Sequence, residues 1–478
     1  MPEFCKAGRN ESASCKRGSR EGRDTVARLR ILVVGAGFAG VACVGRLERR
    51  LAPGDADIAL VTPVSYQLYL PLLPQVAAGV LTPQSVALSL RRGRYRTKII
   101  PGLAIGVDAR AKVCVVRRIT GELTNERYDY IVLAPGSVTR TFDIPGLKEN
   151  GRGMKTLAEA AYLRDHVIAQ LDLADAALDE QEKISRLQFV VVGGGYAGTE
   201  TAACLQRLTT HAVRRYPRLD PSLIRWHLID IAPKLMPELG DKLGRSAMEV
   251  LQRRGVEISL GVSVAEARPD QVTFTDGRVV PSRTLIWTAG VVASPLVETL
   301  GAETVHGRLA TTAQMTLPGF DGVFALGDGA AVPDLTGGDG AVCPPTAQHA
   351  HRQAKTVADN VIAALRGESL RSYRHRDLGL VVDLGGRDAV AKPVGVELHG
   401  MPAQAVARGY HVGAMRTNVA KARVLTNWIL NAAAGDDFVR IGFLAEEQPS
   451  LRHFEQTDAY MTPQQVREHT ASLNAAQG

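Results

Sequence analysis

The sequence predicts an α/β protein in which one unit, a strand followed by a glycine-rich turn and a helix, occurs twice. In the first unit the apolar run 29–34 is followed by GAGFAG at 35–40, and in the second the run 189–192 is followed by GGGYAG at 193–198. Each helix leads to another strand, an order that is typical of a parallel sheet. An apolar strand returns at 323–328 after the second unit. We therefore predict that the second unit is inserted in the first.

The composition excludes several classes of protein. The chain has 478 residues, of which 45% are hydrophobic and 22% charged, so it can bury large cores and is neither disordered nor collagen-like. Its net charge of +8 is modest for this length and does not indicate a nucleic-acid partner. Six cysteines are too few for a disulfide scaffold, and their spacing does not suit zinc. We predict reduced thiols and no metal site.

The N-terminal segment 1–28 is polar, with seven basic and four acidic residues. It lacks the apolar core of a secretory signal, and its four acidic residues are unusual for a transit peptide. We predict a flexible tail, with a targeting segment as the alternative. The chain has no run of 18 or more apolar residues, so no transmembrane helix is predicted.

The glycine turns predict two Rossmann-like dinucleotide-binding domains. The first glycine of such a turn permits the bend, the second lets a pyrophosphate approach the backbone, and the third lets the helix pack on the strand. The N-terminus of the helix then stabilises the anion through its free N–H groups. Both turns follow a strand and open a helix, which is the context that the motif requires. The predicted contacts are Gly35, Gly37, Phe38, Ala39 and Gly40 in the first turn, and Gly193, Gly195, Tyr196, Ala197 and Gly198 in the second.

The residue that ends the next strand differs between the units. In the second unit it is Asp230, whose carboxylate can accept hydrogen bonds from ribose hydroxyls and would repel a 2′-phosphate. No arginine follows directly, which favours NADH over NADPH, although Lys234 lies nearby. In the first unit the strand ends at Thr62, which offers a hydroxyl and backbone groups but no acid.

Two dinucleotide sites in one chain suggest a resident flavin at one and a visiting nicotinamide at the other. The pair Gly327-Asp328 ends an apolar strand, and its carboxylate can hold ribityl or pyrophosphate oxygens; the alternative is an ordinary helix cap. Each unit is also closed by a similar strand and turn. The further predicted cofactor contacts are Ala104, Ala134, Gly136, Ala289 and Gly290.

Eight spaced motifs closely resemble the type II NADH dehydrogenases, which are single-chain, non-proton-pumping NADH:quinone oxidoreductases. The motifs are GAGFAG, PLLPQVAAG, APGS, GGGYAGTE, LIDIAP, IWTAGV, FALGD and PPTAQHAHRQ, and the resemblance runs from about residue 29 to 445. It implies noncovalent FAD in the first domain, NADH in the second, and a quinone that meets the flavin from the opposite side. It also implies a homodimer attached peripherally to the cytoplasmic face of the cell membrane.

The order of the strand patterns divides the chain, and the resemblance assigns its reactive residues. The expected domains are the tail, an FAD-binding domain at 29–154 and 286–368, an NADH-binding domain at 155–285, and a C-terminal region at 369–478. Glu200, in GGGYAGTE, is expected beside the nicotinamide, and Gln348, in the family's AQ motif, in the quinone and flavin pocket. Arg352 stands where the family usually has glutamine, so it is expected to face the quinone and to alter its binding or proton delivery.

Related flavoproteins offer alternatives. Disulfide reductases need a redox CxxxxC motif beside the flavin, but the corresponding region, 41–74, holds only Cys43. Sulfide:quinone reductases need paired catalytic cysteines, which the surroundings of Cys114, Cys204 and Cys343 do not favour. A reductase with a soluble acceptor and a redox-sensing flavoprotein with slow turnover both stay open.

The C-terminal region has a different pattern. Strands are predicted at 378–384 and 389–395, followed by a basic, amphipathic stretch at 401–431. Between 371 and 423 there are nine basic and four acidic residues. We predict an amphipathic helix in the plane of the lipid headgroups, or alternatively a helix that packs on the core or on a dimer partner. Its apolar face would consist of Val406, Tyr410, Ala414, Val424, Leu425, Trp428 and Ile429.

Overall fold

One mixed sheet and one parallel sheet organise the protein. The computed structural model describes residues 28–92, 96–375, 379–435, 437–440, 451 and 459–476. The predicted tail lies outside these ranges except for Arg28. Strands and helices are numbered below in chain order.

The first sheet has seven strands, and its central strands are apolar and buried. They are β1 (Arg30–Val34), β2 (Asp57–Thr62), β5 (Lys98–Asp108), β6 (Val113–Arg118), β7 (Leu123–Arg127), β8 (Tyr130–Leu133) and β21 (Val323–Ala325). Their spatial order is β21-β8-β1-β2-β5-β6-β7. Pairing is parallel from β21 to β5 and antiparallel beyond it. A parallel sheet is covered on both faces, which is why β1 reads as a continuous apolar run rather than an alternating one.

The second sheet has five strands, all parallel, in the order β10-β17-β11-β12-β13. They are β10 (Gly151–Arg152), β11 (Gln188–Val192), β12 (Arg225–Asp230), β13 (Val256–Leu260) and β17 (Thr284–Trp287). A small antiparallel sheet accompanies it, with β14 (Val264–Ala267), β15 (Gln271–Phe274) and β16 (Val279–Pro281). All these strands fall between β8 and β21 of the first sheet, so the chain leaves the first sheet, builds the second and returns.

Further short strands pair with one another outside these sheets. They are β3 (Tyr66–Leu68), β4 (Ala87–Ser89), β9 (Ser137–Thr139), β18 (Val291–Ala293), β19 (Thr304–Val305), β20 (Arg308–Ala310) and β22 (Ala330–Ala331). The antiparallel pair β9–β18 brings the segment that leaves the first sheet beside the segment that returns to it.

Helices cover the sheets. They are α1 (Phe38–Arg50), α2 (Leu73–Ala77), α3 (Pro83–Val86), α4 (Leu147–Asn150), α5 (Leu157–Ala176), α6 (Glu180–Leu187), α7 (Tyr196–Ala212), α8 (Asp241–Arg253) and α9 (Ala347–Leu365). On the first sheet α1 packs against α9, and Arg46 donates to both oxygens of Asp359 at 2.9 and 2.7 Å. Because α9 follows the return strand β21, this contact joins the N-terminal helix of the first unit to the end of the same domain.

The C-terminal region differs from the prediction of one amphipathic helix. Antiparallel strands β23 (Val381–Asp383), β24 (Ala389–Ala391) and β25 (Leu398–His399) precede two helices, α10 (Gly400–Ala414) and α11 (Asn418–Ala434). The first of these helices ends at Ala414 and the second begins at Asn418. The hydroxyl of Thr417 caps α11 by accepting from the Ala420 N–H at 3.2 Å. A further helix, Pro463–Ala476, packs on β5. Within the described ranges, no helix has the length and apolar character needed to cross a bilayer.

The apolar residues assigned to a single face are in fact divided between two faces. Val424 is fully buried and Trp428 is 8% exposed, because both pack into the protein core. Leu425 and Ile429, one residue further along, are 43% and 67% exposed. The exposed apolar surface of α11 is therefore narrower than predicted.

Candidate functional site

The first glycine turn contains two glycines that the fold requires and one that it does not. Gly35 has a φ of +98°, and a Cβ there would lie 2.1 Å from the carbonyl oxygen of Ala134. A Cβ on Gly40 would lie 1.8 Å from the carbonyl oxygen of Gly35. A Cβ on Gly37, by contrast, would have no atom of the described residues within 4 Å. The middle glycine therefore borders open space at the N-terminus of α1, which is where a pyrophosphate would approach.

The second turn repeats this geometry. Gly193 has a φ of +114°, and a Cβ there would lie 2.6 Å from the carbonyl oxygen of Thr288. A Cβ on Gly198 would lie 1.8 Å from the carbonyl oxygen of Gly193. A Cβ on Gly195, by contrast, would meet no atom of the described part of the chain within 4 Å, its chain neighbours aside. Gly37 and Gly195 are the N-caps of α1 and α7 and have no side chain with which to bind the first N–H groups. Both turns thus fit a dinucleotide pyrophosphate.

Asp230 lies at the end of β12 beside the second turn. Its Oδ1 accepts the Ala232 N–H at 2.6 Å, and its Oδ2 accepts the Gly194 N–H. These two bonds fix the carboxylate at the mouth of the turn, and each oxygen keeps a lone pair for a ribose hydroxyl. Lys234 lies close enough in sequence to offer charge to a 2′-phosphate, which argued against a preference for NADH. Its ammonium group donates to Asp241 Oδ1 at 2.8 Å.

Thr62 is placed differently from Asp230. It ends β2 as predicted but is 2% exposed, and its hydroxyl donates to the Val64 carbonyl at 3.0 Å. The hydroxyl is therefore used in a local turn, because nothing in a strand-end threonine forces its side chain outward. Backbone groups are what Thr62 offers to a ligand.

Asp328 meets the first turn from the return strand. A Cβ on Gly327 would lie 3.6 Å from the Cβ atoms of both Ala39 and Ala350, so this strand end sits between α1 and α9. The Gly327 N–H donates to Gln353 Oε1 at 2.8 Å. Long-range contacts of this kind leave no signal in a sequence motif.

The Asp328 carboxylate has two polar neighbours that sequence reasoning missed. Ser137 donates its hydroxyl to Asp328 Oδ2 at 2.6 Å, and Lys155 donates to the Ser137 hydroxyl at 2.6 Å. The lysine places positive charge beside the hydroxyl that binds the carboxylate. This arrangement orients Asp328 for hydroxyl donors.

The other predicted contacts differ in backbone conformation and in exposure. Gly136 and Gly290 have φ values of +74° and +93°. Phe38 packs edge-on against Tyr69, with 5.7 Å between ring centroids. Around the second turn Ala197 is exposed, while Tyr196 and Ala289 are partly buried. Ala39, Ala104 and Ala134 are buried, Ala104 within β5.

Glu200 lies in the first turns of α7, and its Oε1 accepts the Asp383 N–H at 2.8 Å. Burial is the main cause that raises the pKa of Glu200 to about 8; the Asp383 charge adds to it, and the hydrogen bond from the Asp383 N–H opposes it. At neutral pH the group is therefore mostly a carboxylic acid that can donate one hydrogen bond. The contact with Asp383 was not predicted, since the two residues are 183 positions apart.

Gln348 lies in the first turn of α9, and its Nε2 donates to the Gly379 carbonyl at 2.8 Å. Its Oε1 is buried, and no donor among the described residues reaches it. A buried acceptor left without a donor costs free energy on the order of 1–3 kcal/mol unless a bound molecule or water supplies one. Gln348 thus offers an acceptor to a ligand N–H or O–H group.

Arg352 lies one helical turn after Gln348 and contacts a histidine and tyrosine cluster. Its guanidinium is 3.2 Å from His375 Nδ1 and donates to it. The His375 ring stacks on His349 at 3.8 Å, and the Tyr373 hydroxyl lies within 3.3 Å of both Nδ1 atoms. In the described ranges no three histidine, cysteine or acidic side chains are arranged to hold a metal ion.

The described cysteines are buried and free. Cys43 lies in α1 and Cys204 in α7, and burial is the main cause that raises both thiol pKa values, that of Cys43 to about 12. Cys114 and Cys343 are also buried, with raised pKa values. Among the described residues, none is paired as a dithiol centre would require.

Comparison with known proteins agrees with this geometry. The sequence profile of the pyridine nucleotide-disulphide oxidoreductase family matches residues 29–354. A type II NADH:quinone oxidoreductase of Mycobacterium tuberculosis is 30% identical over 417 residues, covering 84% of this chain and 87% of the relative. One from Staphylococcus aureus is 27% identical, covering 79% of this chain and 92% of the relative.

A solved structure has the same fold. The structure of NDH2 from Plasmodium falciparum in complex with NADH superposes with a TM-score of 0.78 at 16% identity, covering 86% of this chain and 100% of that one. The resemblance predicted from the motifs is confirmed. The chain belongs to the type II NADH:quinone oxidoreductases, within the pyridine nucleotide-disulphide oxidoreductase family.

Proposed function

We propose that this protein oxidises NADH with bound FAD and passes two electrons to a quinone. The observation that carries the proposal is the open space at Gly37 and Gly195, at the N-termini of two equivalent helices in a chain of this family. One turn suits a resident flavin and the other a visiting nicotinamide. The test is steady-state oxidation of NADH with a quinone, compared with a soluble electron acceptor.

The chain's residues would hold and orient the cofactors. Bound FAD supplies a two-electron carrier that accepts hydride from NADH and returns the electrons to quinone. Gly37 and the N-terminus of α1 bind its pyrophosphate, and Asp328, oriented by Ser137, accepts hydrogen bonds from its hydroxyl groups. Gly195 and Asp230 bind the pyrophosphate and ribose of NADH in the second domain.

Glu200 would orient the nicotinamide as a neutral acid. Because its Oε1 accepts from Asp383, the proton lies on the other oxygen, which can donate to a carbonyl such as the nicotinamide carboxamide. A pKa of about 8 keeps this donor in place at neutral pH. Orientation of this kind accelerates transfer by holding the reacting atoms in line.

Glu200→Gln is expected to slow flavin reduction by NADH, because the amide donates with a different geometry and cannot ionise. The wild-type rate should fall as pH rises through about 8, where the acid loses its proton, and the variant should lose this dependence. Stopped-flow flavin bleaching on both sides of pH 8 measures this. Equal rates and equal pH profiles would remove Glu200 from the nicotinamide site.

Gln348 is expected to affect the other half-reaction, the reoxidation of reduced flavin. Its buried Oε1 would accept from the flavin or quinone on the acceptor side. Gln348→Leu should slow the reoxidation of reduced flavin by quinone and leave reduction by NADH near the wild-type rate. The Glu200→Gln protein, in which the other half-reaction should be slowed, is its comparison.

Arg352, hydrogen-bonded to His375, would affect quinone binding at this end of α9.

Asp230→Asn is expected to narrow the preference for NADH over NADPH. The amide removes the negative charge that repels a 2′-phosphate and disturbs the bond to Gly194. The ratio of kcat/KM for the two nucleotides should fall about tenfold, which corresponds to about 1.4 kcal/mol. A wild-type protein that uses both nucleotides equally would show that Asp230 does not bind the ribose.

The exposed side of α10 and α11 is our candidate for peripheral membrane attachment at the cytoplasmic face. Its large apolar residues are Met401, Tyr410, Leu425, Ile429 and Leu430, each 39% or more exposed. Basic residues lie nearby, among them Arg416, Lys421 and Arg423. Each adds roughly 1 kcal/mol of attraction near an anionic surface. Because quinone dissolves in the bilayer, attachment would bring the acceptor pocket to its substrate.

The protein is expected to float with anionic liposomes at low salt and to detach as salt rises. The double variant Ile429→Ser and Leu430→Ser should reduce flotation, whereas Leu178→Ser, which removes a fully exposed leucine between α5 and α6, should not. If the double variant floats normally, this face is not the anchor. If the wild type ignores liposomes and the double variant dissociates a dimer, the face belongs to a homodimer instead.

A further inference from the structure

A buried carboxylate, that of Asp383, is held by amide donors. Asp383 is 7% exposed at the end of β23. Its Oδ2 accepts from Gln75 Nε2 at 2.7 Å, and its Oδ1 accepts the Gly385 N–H at 2.7 Å. Gln404 Nε2 lies 3.2 Å from both oxygens. Three donors from three segments of the chain therefore converge on one buried acid.

This cluster connects to α11 through a hydrogen bond whose direction is fixed. Trp428 of α11 donates its indole N–H to Gln75 Oε1 at 2.7 Å. Because an indole N–H can only donate, it fixes the Gln75 amide with its NH₂ group toward Asp383. Gln404 belongs to α10, and the Arg408 guanidinium of the same helix lies 5.0 Å from the centre of the Trp428 ring.

The same residue, Asp383, also contacts Glu200. Its own N–H donates to Glu200 Oε1 at 2.8 Å. A continuous path therefore runs from Trp428 through Gln75 and Asp383 to Glu200. Members of a buried polar network are coupled, so the loss of a partner at one end disturbs the others.

Few charged groups face Glu200 from the surrounding elements. Asp383 faces it from β23, and its charge acts with burial to raise the Glu200 pKa. Cys204 lies one turn along α7 and is buried beside both acids. Arg207 and Arg254 act on the thiol pKa of Cys204, and Arg254 bonds to Asp388 and to the Leu384 and Gly385 carbonyls.

We propose that Asp383 is a positioning residue for Glu200, through which the packing of the C-terminal helices reaches the nicotinamide site. Its N–H fixes one oxygen of the Glu200 acid. Its carboxylate accepts directly from α2 and α10, and Gln75 links it to Trp428 of α11. This inference rests on the function proposed above. It makes the C-terminal region part of the NADH half-reaction as well as of the acceptor side.

Two variants of the flavin-containing protein test the proposal. Asp383→Asn removes the charge and sets an amide against the amide donors of Gln75 and Gln404. Trp428→Phe keeps the charge but removes the donor that orients Gln75. The measurement is the rate of flavin reduction by NADH in a single turnover, on both sides of pH 8, with Glu200→Gln for comparison.

The two variants should give different results. Asp383→Asn should slow flavin reduction on the order of tenfold and move the pH transition to lower pH, because the charge that favours protonated Glu200 is gone. Trp428→Phe should slow the reaction less and leave the transition near its wild-type position. Asp165→Asn, which removes another buried carboxylate, one that pairs with Arg164 on α5, controls for lost stability and should keep the wild-type profile.

The outcomes separate this inference from the proposed function. If Glu200→Gln abolishes the pH transition while Asp383→Asn and Trp428→Phe keep the wild-type rate and transition, Asp383 does not position Glu200. If Glu200→Gln itself changes nothing, the assignment of Glu200 fails and this inference fails with it. If Asp383→Asn does not retain flavin, a wild-type rate and profile in Trp428→Phe overturns the link to α11, and a slowed rate supports it.

Discussion

Valine in place of Gly37 is expected to give a folded protein without bound flavin. Gly37 has an extended backbone that valine adopts readily, and the described residues leave the space around its Cβ open. The branched side chain would occupy the position where the pyrophosphate meets the N-terminus of α1. Binding should weaken on the order of 100-fold or more, seen as loss of visible flavin absorbance with an unchanged far-UV circular dichroism spectrum.

Gly37→Ala supplies the graded control, since one methyl group should weaken flavin binding less than valine does. A yellow Gly37→Val protein with normal flavin content would show that the first turn does not hold the pyrophosphate. Gly35 and Gly40 are unsuitable for this test. A Cβ at either position would clash with the backbone and would prevent folding for reasons unrelated to a ligand.

Valine in place of Gly195 is expected to have the reciprocal effect. The turn at 193–198 has the same geometry, so the variant should fold and keep its flavin while binding NADH on the order of 100-fold more weakly. NADH should then bleach the flavin slowly even at high concentration, whereas a small chemical reductant should bleach it normally. This pair of variants assigns each turn to one nucleotide.

An exchange of the two phenotypes would reverse the assignment. If Gly195→Val lost flavin and Gly37→Val kept it, the resident cofactor would occupy the second domain. If both variants lost flavin, the two turns would not act independently. Thermal unfolding of each apoprotein distinguishes lost binding from lost structure.

Local motifs could be predicted from the sequence because their geometry is local. The first and third glycines of each turn approach each other across five residues, and apolar periodicity sets the strand before them and the helix after them. The placement of Asp230 at a strand end follows from the same pattern. The structure therefore places Gly35, Gly37 and Gly40 in the arrangement that their spacing indicates.

Contacts between distant segments could not be predicted in this way. Glu200 meets Asp383 across 183 residues, and Trp428 meets Gln75 across 353. Ser137 reaches Asp328, 191 residues later, only because the chain returns to the first sheet. No spacing rule brings such residues together, since their proximity depends on how whole elements pack.

The C-terminal helices show a second limit. Periodic apolar residues indicated an amphipathic helix, but the pattern does not say which neighbour covers it. Val424 and Trp428 are buried because α11 packs on the core, and the Trp428 indole N–H donates to the buried Gln75 Oε1. The predicted lipid face was therefore partly wrong, while Ile429 stayed exposed.

Anaerobic sequential mixing of the purified flavoprotein tests the central claim most directly. The bound flavin is first reduced with one equivalent of NADH and then mixed with a quinone while its visible absorbance is followed. Rapid bleaching by NADH and full recovery with one equivalent of quinone is the predicted result. Flavin that NADH does not bleach, or that quinone does not reoxidise within catalytic turnover times, would contradict the account.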